Sequence, residues 1–181
     1  MQDLIIVTGL PRSGTSLLMS MLAAGGLPVL SDSRRPADEH NPRGYFEDSR
    51  VLALNSGAVD WLRQHPGHAV KILYRQLELV EADVPARILL LERDLHEVVA
   101  SQQRMLAAQD HDWLDLFGRE LRRFKGWLAR RGWPVLLVPH RSLLQESWRQ
   151  AAEIQDFLGV SLDLQAMVAQ VDPSLYRCRS C

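Results

Sequence analysis

A chain of 181 residues with 46% apolar and 24% charged residues is ordinary for a globular protein and long enough to bury one sizeable core. Its 21 basic and 22 acidic side chains leave a net charge of −1, which argues against the broad basic surface of a nucleic-acid footprint. Two cysteines make no disulfide framework and point to a reducing, cytoplasmic compartment, and no apolar run approaches the roughly 18 residues of a membrane span.

The first element is Leu4-Ile5-Ile6-Val7-Thr8, an apolar, β-branched run that reads as a buried parallel strand. It is too short for a signal peptide, lacks a basic leader, and flows straight into Gly9-Leu10-Pro11-Arg12-Ser13-Gly14-Thr15-Ser16. Leu17 to Ala24 is apolar at helical spacing and is closed by Gly25-Gly26. A glycine-bearing turn between strand and helix lets backbone N–H groups close around an anion at the positive end of the helix. The phosphate-loop pattern G-x-x-x-x-G-K-[ST] is met everywhere except at the lysine, where this chain has Thr15. The positive charge stands three residues earlier, at Arg12. A nucleotide-hydrolysing loop uses its lysine on the β/γ-phosphates together with Mg²⁺. An arginine fork suits an oxyanion bridging two tetrahedral centres and needs no metal.

Pro11-Arg12-Ser13-Gly14-Thr15-Ser16 resembles the 5′-phosphosulfate loop of the sulfotransferase superfamily, P-[KR]-x-G-T-[ST], in its arginine form, which looks like the tyrosylprotein and bacterial branches. The resemblance implies that 3′-phosphoadenosine 5′-phosphosulfate (PAPS) is the donor, that 3′-phosphoadenosine 5′-phosphate (PAP) is the product, and that no metal is required. It also implies that Pro11 to Ser16 form the donor loop, with Arg12 catalytic. A purely structural loop on the same kind of fold is the alternative.

From Leu27 the composition shifts to turn formers and charges, and 27–46 reads as one long substrate loop with turns at Asn41-Pro42 and Arg43-Gly44. The same stretch also fits a merely solvated charged loop. Asn41 through Glu47 resembles an N-P-x-G-[YF]-[FW]-E segment of bacterial sulfotransferase relatives. By resemblance to family members with the Arg-type loop, Glu47 is the first choice for the base that takes the acceptor's proton, with Asp32 and His40 as competitors.

Asp48-Ser49 is positioned to cap a helix running to Trp61-Leu62, ended by His65-Pro66-Gly67-His68. Ala69 to Leu73 reads as a second strand, on which Lys71 is equally a snorkelling edge residue or a ligand. Ala86 to Leu91 is the most continuous strand pattern and leads to Glu92-Arg93-Asp94 and a helix over 96–102. An arginine at the carboxyl end of a parallel strand faces the ligand crevice of an open α/β sheet. Arg93, Asp94 and Ser101 resemble, in identity and spacing, the family's Arg, Asp and Ser for the donor's 3′-phosphate. Read alone, they are an ion pair and a helix serine.

Trp113 to Leu128 carries apolar residues every three or four positions and reads as an amphipathic helix packed on the core. Val135 to Val138 is another strand, and Phe157-Leu158-Gly159 resembles a recurrent helix ending of the family. Cys178 and Cys181 form a lone C-x-x-C without a second pair for zinc. The Arg-Lys-Gly donor motif near the end of cytosolic sulfotransferases is absent.

Strands alternating with helices predict one domain over 1–181: a three-layer, doubly wound parallel α/β sheet of about four or five strands, P-loop NTPase-like and sulfotransferase-like. The implied reaction moves a sulfuryl group from PAPS to the hydroxyl or amine of a small-molecule or peptide acceptor. A P-loop small-molecule kinase or nucleotidase, and a non-catalytic nucleotide-binding protein with a degenerate site, are the other classes the residues leave open.

Overall fold

Six consecutive buried residues make β1, Leu4–Gly9, the centre of a parallel sheet. The computed structural model describes residues 3–32, 34–39, 41–54, 59–106 and 113–176. The first helix, α1 (Thr15–Ala24), leads to β2 (Val29–Leu30), then to α2 (Ser49–Leu52) and α3 (Asp60–Arg63). Next come β3 (Ala69–Lys71), α4 (Tyr74–Leu77), β4 (Ala86–Glu92), α5 (Leu95–Leu106) and α6 (Trp113–Leu128). The chain closes with β5 (Val135–Pro139), α7 (His140–Gln145), α8 (Ser147–Leu158), α9 (Leu164–Val168) and a 3₁₀ turn, Pro173–Leu175. The strands run β2-β3-β1-β4-β5, all parallel, with Ile6 opposite Val70 on one side and Ile88 on the other.

Side chains alternate across a strand, so a strand buried on both faces must be apolar throughout and feed two cores. Leu4 and Ile6 of β1 join Ile88 and Leu90 of β4 in one core, closed by Phe117, Phe124 and Leu128 of α6. Ile5 and Val7 join Leu89 and Leu91 in the other, closed by Leu18, Met19 and Leu22 of α1 and by Ala151 and Ile154 of α8. The aromatic stripe of α6 is packing, as its spacing indicates. Fully buried Ile6 is worth several kcal/mol, since truncating such a side chain to alanine costs about 2–5 kcal/mol.

Four local expectations change. The long loop contains β2, whose two residues are too short to show any periodicity. The helix expected from Ser49 to Leu62 is two four-residue helices, although Val51, Leu54, Val59 and Leu62 do all enter the core. Asp48 caps the first of them, its carboxylate accepting from the Arg50 amide at 3.0 Å. The strand expected over Ala69–Leu73 stops at Lys71, and α4 begins at Tyr74. The helix after β4 is longer than its apolar pattern, reaching Leu106.

Because the chain leaves β1 toward β2 and β3 on one side and reaches β4 on the other, the carboxyl end of β1 is where a ligand crevice opens in such a sheet.

Candidate active site

At that end lies a cavity of about 240 Å³, walled by the loop after β1, the ends of β3 and β4, the start of α7, the 35–47 segment and residues near the C-terminus. The loop turns from strand to helix through two left-handed residues, Arg12 (φ 68°) and Gly14 (φ 102°). A Cβ on Gly14 would stand 2.5 Å from His140 Cδ2, so glycine is required there for room as well as for φ. Arg12 holds the same region without that freedom, at a cost of roughly 1–2 kcal/mol. Ser13 faces inward, its Oγ donating to the Leu10 carbonyl at 2.7 Å and its N–H to the same oxygen at 3.2 Å. Among the described residues no side chain caps the start of α1, and the amides at a helix start are donors suited to an anion.

The second wall comes from β4 and α5. Asp94 Oδ1 accepts from the amides of His96 (2.9 Å) and Glu97 (3.2 Å) and so opens α5. Arg93 Nε donates to Glu97 Oε2 at 2.9 Å, and its Nη1 donates to the Arg12 carbonyl at 3.1 Å. Two turns into α5, Ser101 Oγ accepts from Arg12 Nε at 3.0 Å. The two motifs, 81 and 89 residues apart along these contacts, are thus tied together at one cleft.

The third wall is built on Lys71. The lysine is buried, and its Nζ donates to Glu47 Oε1 at 3.0 Å, to Ser16 Oγ at 3.4 Å and to the Tyr45 carbonyl. Burial lowers its pKa from the ordinary 10.5, opposed by the Glu47 carboxylate. Glu47 also meets Arg35 Nη1 at 3.3 Å, and that guanidinium stacks 3.4 Å above the Tyr45 ring. The predicted turn is present, with the Gly44 N–H on the Asn41 carbonyl at 3.0 Å. From it Arg43 reaches the carbonyl of Gln170 and pairs with Asp172 at 3.8 Å, joining the loop to the C-terminal wall.

Three solved structures superpose on nearly all of this architecture. The sulfotransferase domain of the Synechococcus PCC 7002 olefin synthase matches with a TM-score of 0.61 at 18% identity, over 98% of this chain and 81% of that one. Sulfotransferase STF1 from Mycobacterium tuberculosis H37Rv matches at 0.64 and 16%, over 97% and 73%. The sulfotransferase domain of the curacin biosynthetic pathway matches at 0.57 and 13%, over 95% and 78%. The chain has a sulfotransferase-like fold. No family model matches the chain, and no curated protein matches it by sequence.

Within this sulfotransferase-like frame, Pro11, Arg12, Gly14, Thr15, Ser16, Glu47, Arg93 and Ser101 all line the cavity. Ser13 does not, because its hydroxyl is spent closing the loop. Of the competing bases, Asp32 lies outside the lining. Its carboxylate accepts from the Ser49 and Arg34 amides at 2.8 and 3.0 Å, and hydrogen bonding to Ser49, the largest influence, holds its pKa at about 2. His40 lies outside the described residues, as do Cys178 and Cys181. Among the described residues no helix is long and apolar enough to cross a membrane.

Sequence reasoning missed His140. It is buried beside Gly14 and edge-on to Tyr176, with no hydrogen-bond partner for Nδ1 among the described residues. Desolvation, then the nearby Arg93, lowers its pKa to about 4, so the imidazole is neutral at pH 7. It also missed the C-terminal wall, where Tyr176 donates to Glu97 and lies against the Arg93 guanidinium. Neither carries a spacing that would reveal it.

Proposed function

We propose that the chain transfers a sulfuryl group from PAPS to a hydroxyl or amine acceptor without a metal. The observation carrying this reading is the pair of hydrogen bonds that joins Arg12 to Ser101 and Arg93 to Arg12 at the carboxyl ends of the strands. Gly14, Thr15 and Ser16 hold the 5′-phosphate with the first amides of α1, while Pro11 and Ser13 shape the loop. Arg93 and Ser101 take the 3′-phosphate.

The acceptor's oxygen or nitrogen attacks sulfur, and the bond from sulfur to the bridging oxygen breaks. That oxygen keeps the electron pair as PAP leaves. Arg12 stabilises it, and Lys71, against Ser16, supplies a second cation beside the loop. Glu47 accepts the acceptor's proton. Fixed donors aimed where charge develops supply most of the rate. Arg35 and Lys71 hold the Glu47 carboxylate in place at the cavity wall.

The test is transfer of labelled sulfuryl from PAPS to a panel of phenols, alcohols and amines in the presence of a chelator. Product in that panel supports the reading. Mg²⁺-dependent ATP hydrolysis with no sulfuryl transfer would establish the kinase or nucleotidase reading. PAP binding without transfer to any acceptor would leave a non-catalytic binding protein.

A further inference from the structure

The wall that carries the proposed base holds one negative charge too few. Lys71 Nζ and Arg35 Nη1 both reach the Glu47 carboxylate, at 3.0 and 3.3 Å. Arg43 and Arg93 each have a carboxylate of their own, Asp172 and Glu97. Once Glu47 has taken the acceptor's proton, Lys71 and Arg35 face a neutral carboxyl.

Of the two, Arg35 has donors to spare. Its Cζ lies 3.4 Å from the centroid of the Tyr45 ring, and that ring is held in turn by its phenol, which donates to Asp38 at 2.8 Å. Its hydrogen bonds to Glu47 both come from Nη1, at 3.3 and 3.4 Å, longer than the roughly 2.7–2.9 Å of a strong charge-assisted bond. Among the described residues nothing accepts from Arg35 Nε or Nη2. That edge of a guanidinium takes a carboxylate side-on, as Arg50 does with Asp48 at 2.9 and 2.7 Å. Arg35 lines the cavity and is half-exposed, so a ligand can reach the unused edge. Lys71, by contrast, is buried and committed to Ser16, Tyr45 and Glu47. The contacts run from Ser16 through Lys71 and Glu47 to Arg35, which stands one residue beyond the base.

We propose that the acceptor is a hydroxy acid, whose carboxylate binds the Nε–Nη2 edge of Arg35 while its hydroxyl faces Glu47. This rests on the reading of the cavity as a sulfotransferase site with Glu47 as the base. A hydroxyl at Glu47 and a carboxylate at the neighbouring arginine are groups that one small molecule can present together. The hydroxyl proton passes to Glu47, its oxygen forms the bond to sulfur, and the carboxylate is unchanged by the reaction. It supplies the counter-charge that Arg35 loses when Glu47 is protonated, through a planar fork that fits a carboxylate at two points.

The experiment measures sulfuryl transfer from PAPS, in chelator, to matched pairs of acceptors: 4-hydroxybenzoate with 4-hydroxybenzamide, and glycolate with glycolamide. Wild type should favour each acid over its amide by at least about tenfold in kcat/KM, chiefly through KM. Arg35→Gln should bring that ratio to within about twofold of one, and Arg35→Lys should keep part of it, since lysine has the charge without the fork. A looser hold on Glu47 lowers acid and amide alike, so the ratio isolates the contact with the carboxylate. PAP affinity of both variants, by calorimetry, should stay within about twofold of wild type, which also reports that they are folded. A ratio that survives in Arg35→Gln, or a loss of PAP affinity matching the loss on the acids, would overturn the assignment. Transfer without preference for the acids, or only to acceptors that lack one, overturns it and leaves the sulfotransferase reading standing. No transfer to these four or to the wider panel of phenols, alcohols and amines overturns both.

Discussion

Lys71 Nζ lies 3.0 Å from Glu47 Oε1, with the lysine side chain 4% and the glutamate side chain 29% exposed. The pair spans the seam between the start of α1, through Ser16, and the segment that carries the proposed base. Breaking a buried pair from one side costs about 3–5 kcal/mol, and a partly exposed glutamate lowers that figure. Glu47→Gln should cost about 1–3 kcal/mol in urea unfolding and lower single-turnover transfer by about 10²–10⁴-fold. PAP affinity should hold or rise, since a like charge has left the donor's surroundings. Unchanged turnover per folded molecule would make Glu47 a purely structural partner of Lys71.

The same pair carries a pH signature. Lys71 has a folded pKa below its ordinary 10.5, so between the two values the unfolded chain holds a proton that the folded chain lacks. Stability contributed by this group therefore rises with pH through that window. Removing Glu47 removes what opposes the shift and widens the window downward. The stability deficit of Glu47→Gln should shrink as pH rises from 7 toward 10, and a deficit constant across that range would contradict the assignment.

His140 gives the acid-side counterpart. Its pKa falls from 6.5 to about 4 on folding, so the unfolded chain takes up the proton first as pH drops through that window. Stability is complete above 6.5 and declines toward 4, by up to roughly 3 kcal/mol from this group. His140→Gln should flatten the decline in melting temperature between pH 6.5 and 4.5. A slope identical to wild type would place the titrating group elsewhere.

The central part of this site was legible in the sequence for a physical reason. A strand buried on both faces must be apolar throughout, a left-handed turn needs glycine, and Arg93 and Ser101 keep a spacing that a helix converts into a shared wall. Lys71 was not legible, because a lysine at a strand end reads the same whether it snorkels outward or is buried against Ser16. The break between α2 and α3 was hidden as well, since Val51, Leu54, Val59 and Leu62 are core residues at spacings close to those of one continuous helix. His140 and Tyr176 reach the cavity only through the packing of α7 and the C-terminal wall, contacts that no local pattern encodes.

Gly14 tests the loop geometry. Gly14→Ala must hold φ near 102° and place a Cβ 2.5 Å from His140 Cδ2, for a cost of about 2–4 kcal/mol. Pairing it with His140→Ala should recover the part due to crowding and leave the part due to φ. A double-mutant cycle with no coupling would show that the imidazole does not press on the loop.

Arg93→Ala should weaken PAP by about ten- to a hundred-fold, the loss of about 1.5–3 kcal/mol of charge-assisted hydrogen bonding. Adenosine 5′-phosphosulfate, which has no 3′-phosphate, should bind almost as before. The variant also leaves buried Glu97 with one fewer partner, so a drop in melting temperature is expected beside the change in affinity. Equal losses for both ligands would remove Arg93 from the 3′-phosphate site.

The most direct measurement is the affinity of the wild-type chain for PAP and for AMP, by calorimetry in chelator, with ATP turnover assayed on the same sample. The account predicts PAP binding at least about tenfold tighter than AMP without any metal, and no ATP hydrolysis when Mg²⁺ is restored. Equal affinity for the two nucleotides, or Mg²⁺-dependent ATP hydrolysis above background, would contradict it.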